Sequence, residues 1–164
     1  MNAYAPRTPL ALASRRLRRA LADATPATPP LPAALKPAAY LRLRRKAAGL
    51  TVPQLADRIT GVPADRDDRD EMMCLIALLE TDGSVARRDA TIAAIARAMP
   101  MDADVYRQLR DDPVEQHPRT CRDCGCSAWD RCGADQRAGH VDCCTWESET
   151  QCTRCAGTTG SVIQ

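Results

Sequence analysis

The sequence predicts a mainly α-helical protein in which a compact bundle of five short helices precedes a small, metal-stabilised cysteine-rich module. Apolar residues recur at helical spacing through residues 38–112. Eight of the nine cysteines lie within residues 121–155. Because the 164-residue chain has no Phe and only 3% aromatic residues, its core must be built from aliphatic side chains and Met, which suit helices.

The first part of the chain, residues 1–37, is predicted to be a basic, Pro- and Ala-rich disordered tail and linker. Its short apolar run at residues 10–13 is followed by arginines, which argues against a secretory signal peptide. No stretch is long and apolar enough for a membrane span. The expected location is the cytoplasm, where clustered cysteines bind metal more often than they form disulfides.

The first predicted helix places apolar residues on one face and basic residues on most of the remaining surface. Its apolar face consists of Tyr40, Leu43, Ala47 and Leu50. Its basic residues are Arg42, Arg44, Arg45 and Lys46. Gly49 is the expected stop, since glycine readily ends helices.

The second and third helices are separated by an acidic loop. Thr51 and Gln54 have the spacing of a capping box, which predicts a second helix running to about residue 59. The third helix is predicted over residues 68–81, with Cys74 as a buried or half-buried small apolar residue. Its core-facing residues are Met72, Leu75, Ile76 and Leu79.

The fourth and fifth helices complete the predicted bundle. Asp89 begins the fourth, which ends before Pro100, and Asp102 begins the fifth, which ends before Pro113. Residues 113–120 are expected to be a linker, and residues 156–164 a disordered tail.

Three stretches of the bundle carry a family resemblance. The runs LRLRRKAAGLTVPQLADRI, LIALLETDG and ATIAAIARAMPMDADVYRQL resemble the Cro/repressor-type (XRE-like) helix-turn-helix family over about residues 38–110. The resemblance implies that the third helix enters the DNA major groove. The residues expected to contact DNA are Arg42, Arg44, Arg45, Lys46, Arg58, Arg66 and Arg69. Acidic residues at 67, 68, 70 and 71 depart from that pattern, because they would face phosphate.

The cysteine spacing predicts a metal site. Two pairs, Cys121-x2-Cys124 and Cys152-x2-Cys155, can complete the four-sulfur shell that structural zinc takes. Further cysteines between the pairs allow a second ion, with Cys126, Cys132 and Cys144 supplying most of its shell. One or two zinc ions are expected, and an iron–sulfur cluster or disulfides are the alternatives.

This segment also resembles a cysteine-rich tail of phage and proteobacterial proteins of unassigned function. The shared pattern is C-x2-C-G-C-[ST], a further C, then C-x-W and a closing C-x2-C. His140 and Cys143 lie outside the pattern and are additional candidate ligands. The resemblance implies a metal module in a phage or prophage protein, without a named activity.

The sequence does not predict an enzyme. It has no glycine-rich phosphate loop and no nucleophile elbow, and a shell closed by sulfur lacks the open position of a catalytic zinc. The predicted function is a DNA-binding transcriptional regulator with a structural zinc knuckle, whose partner is double-stranded DNA. The alternative is a protein–protein adaptor that uses the acidic third helix and the metal module. A homodimer is left open.

Overall fold

A computed structural model describes residues 34–61, 65–132 and 143–159. None of the helices within these ranges is both long enough and apolar enough to cross a membrane. Five helices form the first part: α1 Pro37–Ala47, α2 Val52–Thr60, α3 Arg66–Leu79, α4 Asp89–Ala98 and α5 Ala103–Asp111. A 3₁₀ turn at Val114–Gln116 leads to the cysteine module, which has strands β1 Trp146–Ser148 and β2 Gln151–Cys152 and helix α6 Thr153–Thr159.

The helical bundle has one apolar core. Helix α2 packs mainly on α3 and also contacts α4, while α5 packs against both α1 and α4. Fully buried side chains from each helix meet there: Tyr40, Leu41, Leu55, Ile76, Ile92, Val105 and Tyr106. The two tyrosine rings join α1 to α5, with their centroids 6.5 Å apart. The five predicted helices are therefore present, each within about two residues of the predicted bounds at most ends.

The predicted capping box of α2 is confirmed, and Asp102, predicted as the start of α5, also caps that helix. The Thr51 hydroxyl accepts a hydrogen bond from the Gln54 amide, and the Gln54 side chain accepts one from the Thr51 amide. The carboxylate of Asp102 accepts hydrogen bonds from the amides of Asp104 and Val105 at the start of α5. These contacts satisfy amides that the first turn of a helix leaves without partners.

Some boundaries and side-chain positions differ from the predictions. The bundle begins earlier, because Leu35 packs against the core and Pro37 is the first residue of α1, where proline is well tolerated. The closing segment is not an irregular tail from residue 156, since α6 continues to Thr159. Ala47 is exposed, because the buried face of α1 runs through Leu41 and Arg44 instead.

Cys74 was also wrongly predicted. It is exposed on α3. Helix α3 buries Ile76 and Leu79, and Cys74 lies off that face with its side chain exposed. Its small apolar character made it look like a core residue, although the helical spacing of its neighbours already placed it off the core face.

The cysteine module is built from a turn, a hairpin and a short helix. The turn at residues 121–126 is closed by two backbone hydrogen bonds, from Gly125 N–H to Cys121 O and from Cys121 N–H to Cys126 O, both 2.8 Å. Strands β1 and β2 are antiparallel, with Trp146 opposite Cys152. The guanidinium of Arg119 lies 4.3 Å from the centre of the Trp146 ring and so covers the hairpin from outside.

Replacing Thr51 by Ala removes the side-chain half of the capping box. We expect the free energy of unfolding to fall by about 1 kcal/mol, the usual cost of losing such a cap. Urea denaturation followed by circular dichroism measures the change. Thr81→Ala is the control, because its exposed hydroxyl donates only to the Ala77 carbonyl and caps no helix start. Equal effects of the two substitutions would contradict the role of the cap.

Candidate metal centre

Two chain segments bring the predicted cysteine pairs together. The turn at residues 121–126 presents Cys121 and Cys124, and the junction of β2 with α6 presents Cys152 and Cys155. The Cys152 amide donates to the sulfur of Cys121 across a distance of 3.5 Å, and the Arg122 amide donates to the Thr150 carbonyl. The hairpin is thus fixed against the turn by main-chain groups.

The sulfurs of Cys121, Cys124, Cys152 and Cys155 form a group in which every pair lies within 4.8 Å. The first three of these cysteines are buried and Cys155 is half-buried. This is the four-cysteine set that the sequence spacing predicted. Cysteine thiolates at this separation can bind a metal ion such as zinc.

A second group contains Cys124, Cys126, Cys132 and Cys152, again within 4.8 Å of one another. It differs from the predicted second shell, in which Cys144 was to join Cys126 and Cys132. The Cys144 amide donates to the Cys132 carbonyl, and its sulfur lies 3.6 Å from that of Cys126 and also interacts with the Cys132 thiol, but it belongs to neither four-cysteine group. Cys124 and Cys152 take its place in the group.

The remaining candidate ligands fall outside both groups. Cys143 is half-exposed and its sulfur is in neither group, as expected for neighbouring residues in an extended chain, whose side chains point to opposite faces. His140 lies outside the residues that the structure describes.

All nine cysteines are free thiols. Within the cluster, the Sγ atoms of Cys132 and Cys152 are 3.5 Å apart and those of Cys124 and Cys152 are 3.8 Å apart. A disulfide would bring two sulfurs to about 2.05 Å. The cluster is therefore packed as separate sulfurs around a common centre, as ligands are.

The cysteine side chains of the cluster also shift one another's pKa. Hydrogen bonding from the Cys126 thiol, helped by the Cys126 amide, lowers the pKa of Cys124 to about 4 against the opposing effect of burial. The pKa of Cys126 is raised, first because its thiol donates to Cys124 and then because it is buried. Burial raises the pKa of Cys132 and of Cys155. Cys124 is thus held closer to the thiolate form that a metal needs than an ordinary cysteine is.

One carboxylate joins the cysteine module to the helical bundle. Asp130 Oδ2 accepts a hydrogen bond from the Tyr40 hydroxyl at 2.8 Å and one from the Asp102 amide at 3.1 Å. The same oxygen lies 3.1 Å from Arg44 Nε, and the Arg44 side chain is only 4% exposed. Asp130 Oδ1 accepts from both the amide and the hydroxyl of Ser127. The carboxylate therefore links α1 and the start of α5 to the turn that follows Cys126.

Sequence reasoning missed this link. Asp130 follows the exposed Trp129 in a polar loop, and no spacing rule connects it to Tyr40, which is 90 positions away. A weak signal was present in the sequence itself. Ser127 and Asp130 have the spacing at which a serine and a carboxylate cap a turn, as they do here through the Ser127 hydroxyl.

Gly125 is required where the module meets α1. Its φ is +74°, which L side chains rarely adopt, and a Cβ there would lie 3.1 Å from Arg44 Cδ and 3.2 Å from Leu43 Cβ. Glycine permits both the turn and the close approach of the helix. Helix α1 is therefore enclosed on two sides, by the bundle core and by the cysteine module.

Three of the four basic residues of α1 have partners in other elements, contrary to their predicted placement on the solvated face. Arg44 is buried against Asp130, and Arg45 forms two hydrogen bonds of 2.6 and 2.7 Å with the carboxylate of Glu80, which is itself buried. Arg42 donates to the Glu80 carbonyl. These side chains were expected on the solvated face because no carboxylate in the nearby sequence identified their partners.

The remaining residues that were predicted to contact DNA differ from one another in their partners and exposure. Arg69 pairs with Asp57 between α3 and α2, and this pairing lowers the pKa of the Asp57 carboxyl. Arg58 donates to the Ala98 carbonyl. Lys46 and Arg66 are exposed. The structure therefore brings the predicted metal ligands together but does not gather the seven basic residues into one surface.

Comparisons of the chain with protein-family models, with curated proteins and with solved structures give no match. The fold and the site define a mainly helical protein with a cysteine cluster near its C-terminus that is compatible with metal binding.

Replacing Asp130 by Asn keeps the shape of the side chain but removes its charge. We expect a loss of about 3 kcal/mol in the free energy of unfolding, because Arg44 is left buried without its counter-charge. Urea denaturation of the metal-loaded protein measures it. Glu147→Gln, the same change at an exposed position of β1, should alter stability by less than about 0.5 kcal/mol. An equally small effect at Asp130 would show that the carboxylate does not join the two parts energetically.

Proposed function

We propose that the protein binds zinc through Cys121, Cys124, Cys152 and Cys155, and that the zinc is structural. The observation that supports this proposal is the group of four sulfurs within 4.8 Å of one another. Four thiolates close the tetrahedral shell, which leaves no position for a substrate or a reactive water. In a reducing cytoplasm these cysteines remain available as ligands. The proposed zinc site is accordingly structural and not catalytic.

The composition of the cysteine module supports a structural role for the metal. Its buried cluster consists of cysteines, and Trp146 is the large side chain packed against them. Trp129 is 68% exposed and adds little to that core. Metal–sulfur bonds therefore have to supply the free energy that apolar burial supplies in the bundle, as in other small zinc domains, where binding and folding are coupled.

Removing zinc should unfold the cysteine module. In a Trp129→Phe background, Trp146 is the remaining tryptophan, so its fluorescence reports on the hairpin beside the cluster. We expect a strong chelator to shift that emission to longer wavelength and zinc to restore it. Lowering the pH should weaken zinc binding, because protons compete for the thiolates.

Two cysteine variants provide the contrast for this measurement. Cys155→Ser should lower the zinc content of the purified chain, whereas Cys74→Ser, at the exposed cysteine of α3, should leave it unchanged. Metal-free protein with an unchanged Trp146 signal would contradict the zinc proposal. Visible absorption with stoichiometric iron would replace zinc by an iron–sulfur cluster.

We further propose that the helical bundle acts as a protein-binding adaptor whose contact surface is the exposed side of α3. The first half of that side carries Asp67, Asp70 and Glu71, and the second half carries Cys74 and Leu78, with Leu78 58% exposed. Acidic residues beside an exposed leucine are complementary to a basic amphipathic segment. Such a segment would place its Lys or Arg side chains against the carboxylates and an apolar residue against Leu78.

DNA-binding regulation is the competing proposal. Lys46 and Arg66 support it, because both are exposed and free to approach phosphate. The residues around Arg66 weigh against it. Affinity for duplex DNA depends largely on cation–phosphate contacts. The acidic side chains of α3 repel phosphate, and Arg44 and Arg45 are held by carboxylates inside the protein.

A titration with duplex DNA separates the two proposals. For the adaptor we expect no binding tighter than about 10⁻⁴ M at low salt, which is weaker than ordinary non-specific binding. Fluorescence anisotropy with labelled duplexes measures it. Tighter binding with a steep salt dependence that Lys46→Ala and Arg66→Ala together reduce would establish the regulator instead.

The adaptor proposal has its own positive test. Basic amphipathic peptides should bind the zinc-loaded chain, and Glu71→Lys should weaken that binding by at least about tenfold through like-charge repulsion. Glu115→Lys introduces the same charge change at an exposed position outside α3 and should have little effect. Equal losses in both variants would show that only net charge matters, and the α3 surface would be rejected.

A further inference from the structure

The two groups of four cysteines are not independent. They share Cys124 and Cys152, so that together they contain six different cysteines. Cys121 and Cys155 belong only to the first group, and the other two members belong only to the second. The shared pair lies at the centre of one continuous sulfur cluster.

Sulfur–sulfur distances in the cluster match those of a tetrahedral zinc shell. With zinc–sulfur bonds of about 2.3 Å, two ligands of one tetrahedral ion are about 3.8 Å apart. Cys124 and Cys152 are separated by 3.8 Å, Cys124 and Cys132 by 3.9 Å, and Cys132 and Cys152 by 3.5 Å. These three sulfurs form one face of a tetrahedron. The line that joins the two shared sulfurs is an edge common to both groups.

The number of cysteines in the cluster favours two metal shells that share ligands over two separate shells. Two separate four-sulfur shells would need two further ligands in place of the shared pair. Cys74 is on α3, and Cys143 and Cys144 belong to neither group, although Cys144 is close to Cys126 and Cys132. A second ion can therefore complete a four-sulfur shell among the described residues only by sharing thiolates with the first.

The net charge of the cluster also favours two ions that share thiolates. Each thiolate adds a negative charge to a cluster in which five cysteines are buried. A shared thiolate is neutralised by two ions at once, so a bridged pair of ions leaves less net negative charge than two separate shells. Burying uncompensated charge costs free energy, and the bridged arrangement reduces that cost.

We propose that the module holds two zinc ions in one binuclear cluster bridged by the sulfurs of Cys124 and Cys152. Cys121 and Cys155 complete the shell of the first ion, and Cys126 and Cys132 complete that of the second. The inference rests on the zinc site proposed above and adds the second ion and the bridges. Cys144 is a neighbour of the cluster and not a ligand.

The full-length chain loaded with cadmium-113 in place of zinc tests the bridges directly. Native mass spectrometry should give two ions per chain, and the cadmium spectrum should show two resonances. In a proton–cadmium correlation spectrum the β protons of Cys124 and Cys152 should correlate with both resonances. The β protons of Cys121, Cys155, Cys126 and Cys132 should each correlate with one.

Two variants provide a matched comparison. Cys126→Ser should lower the content from two zinc ions to one, while Cys144→Ser, at the neighbouring buried cysteine, should retain two. The spectra of the unaltered chain do not depend on whether either variant folds.

The outcomes separate this inference from the zinc proposal. A single ion per chain, or two ions without a cysteine that correlates with both, would overturn the bridged cluster and leave the structural zinc site in place. A chain that takes up neither zinc nor cadmium would overturn both.

Discussion

The carboxylate of Asp130 is the constraint on which the arrangement of the two parts depends. Its two oxygens accept from groups of α1, of the α5 start and of the turn after Cys126. A buried carboxylate is stable only when it is paired and hydrogen-bonded, and here Arg44 supplies the charge while Tyr40 supplies a hydroxyl. These contacts together fix the position of the turn after Cys126 against α1 and α5. Tyr40 is affected in turn, since burial and the adjacent Asp130 charge raise the pKa of its hydroxyl.

The helical bundle and the cysteine module have cores of different chemistry. Aliphatic side chains and two tyrosines form the core of the bundle, where burial of apolar surface supplies the free energy. The core of the module is sulfur, with Trp146 on its edge. Stability of the bundle therefore follows temperature and denaturant in the usual way. With the zinc site proposed above, stability of the module would follow thiolate chemistry and metal supply. Asp130 contacts both the bundle and the module, and therefore couples the stability of one to that of the other.

The five helices of the bundle could be predicted, because they are encoded locally. Apolar spacing, the Thr51 capping box and the Asp102 cap each involve residues within about one turn of one another. The first four-cysteine group followed from spacing as well, since a C-x2-C pair always presents two sulfurs from one turn. The sequence did not predict that Cys124 and Cys152 belong to both four-cysteine groups, because this depends on how the turn at residues 121–126 packs against the distant hairpin. The burial of Arg44 and Arg45 was missed for the same reason: their carboxylate partners lie 86 and 35 positions away and belong to other elements.

The distance along the chain between Tyr40 and Asp130 also sets the order in which the protein can assemble during synthesis. All five helices of the bundle leave the ribosome before Asp130, and the last cysteine pair follows later still. Domains generally fold as units as they emerge. Asp130, the partner of Arg44, and the hairpin that leads to Cys152 and Cys155 are therefore synthesised only after the whole bundle. Docking of the turn that carries Asp130, rather than collapse of the helices, is the step that joins the two parts.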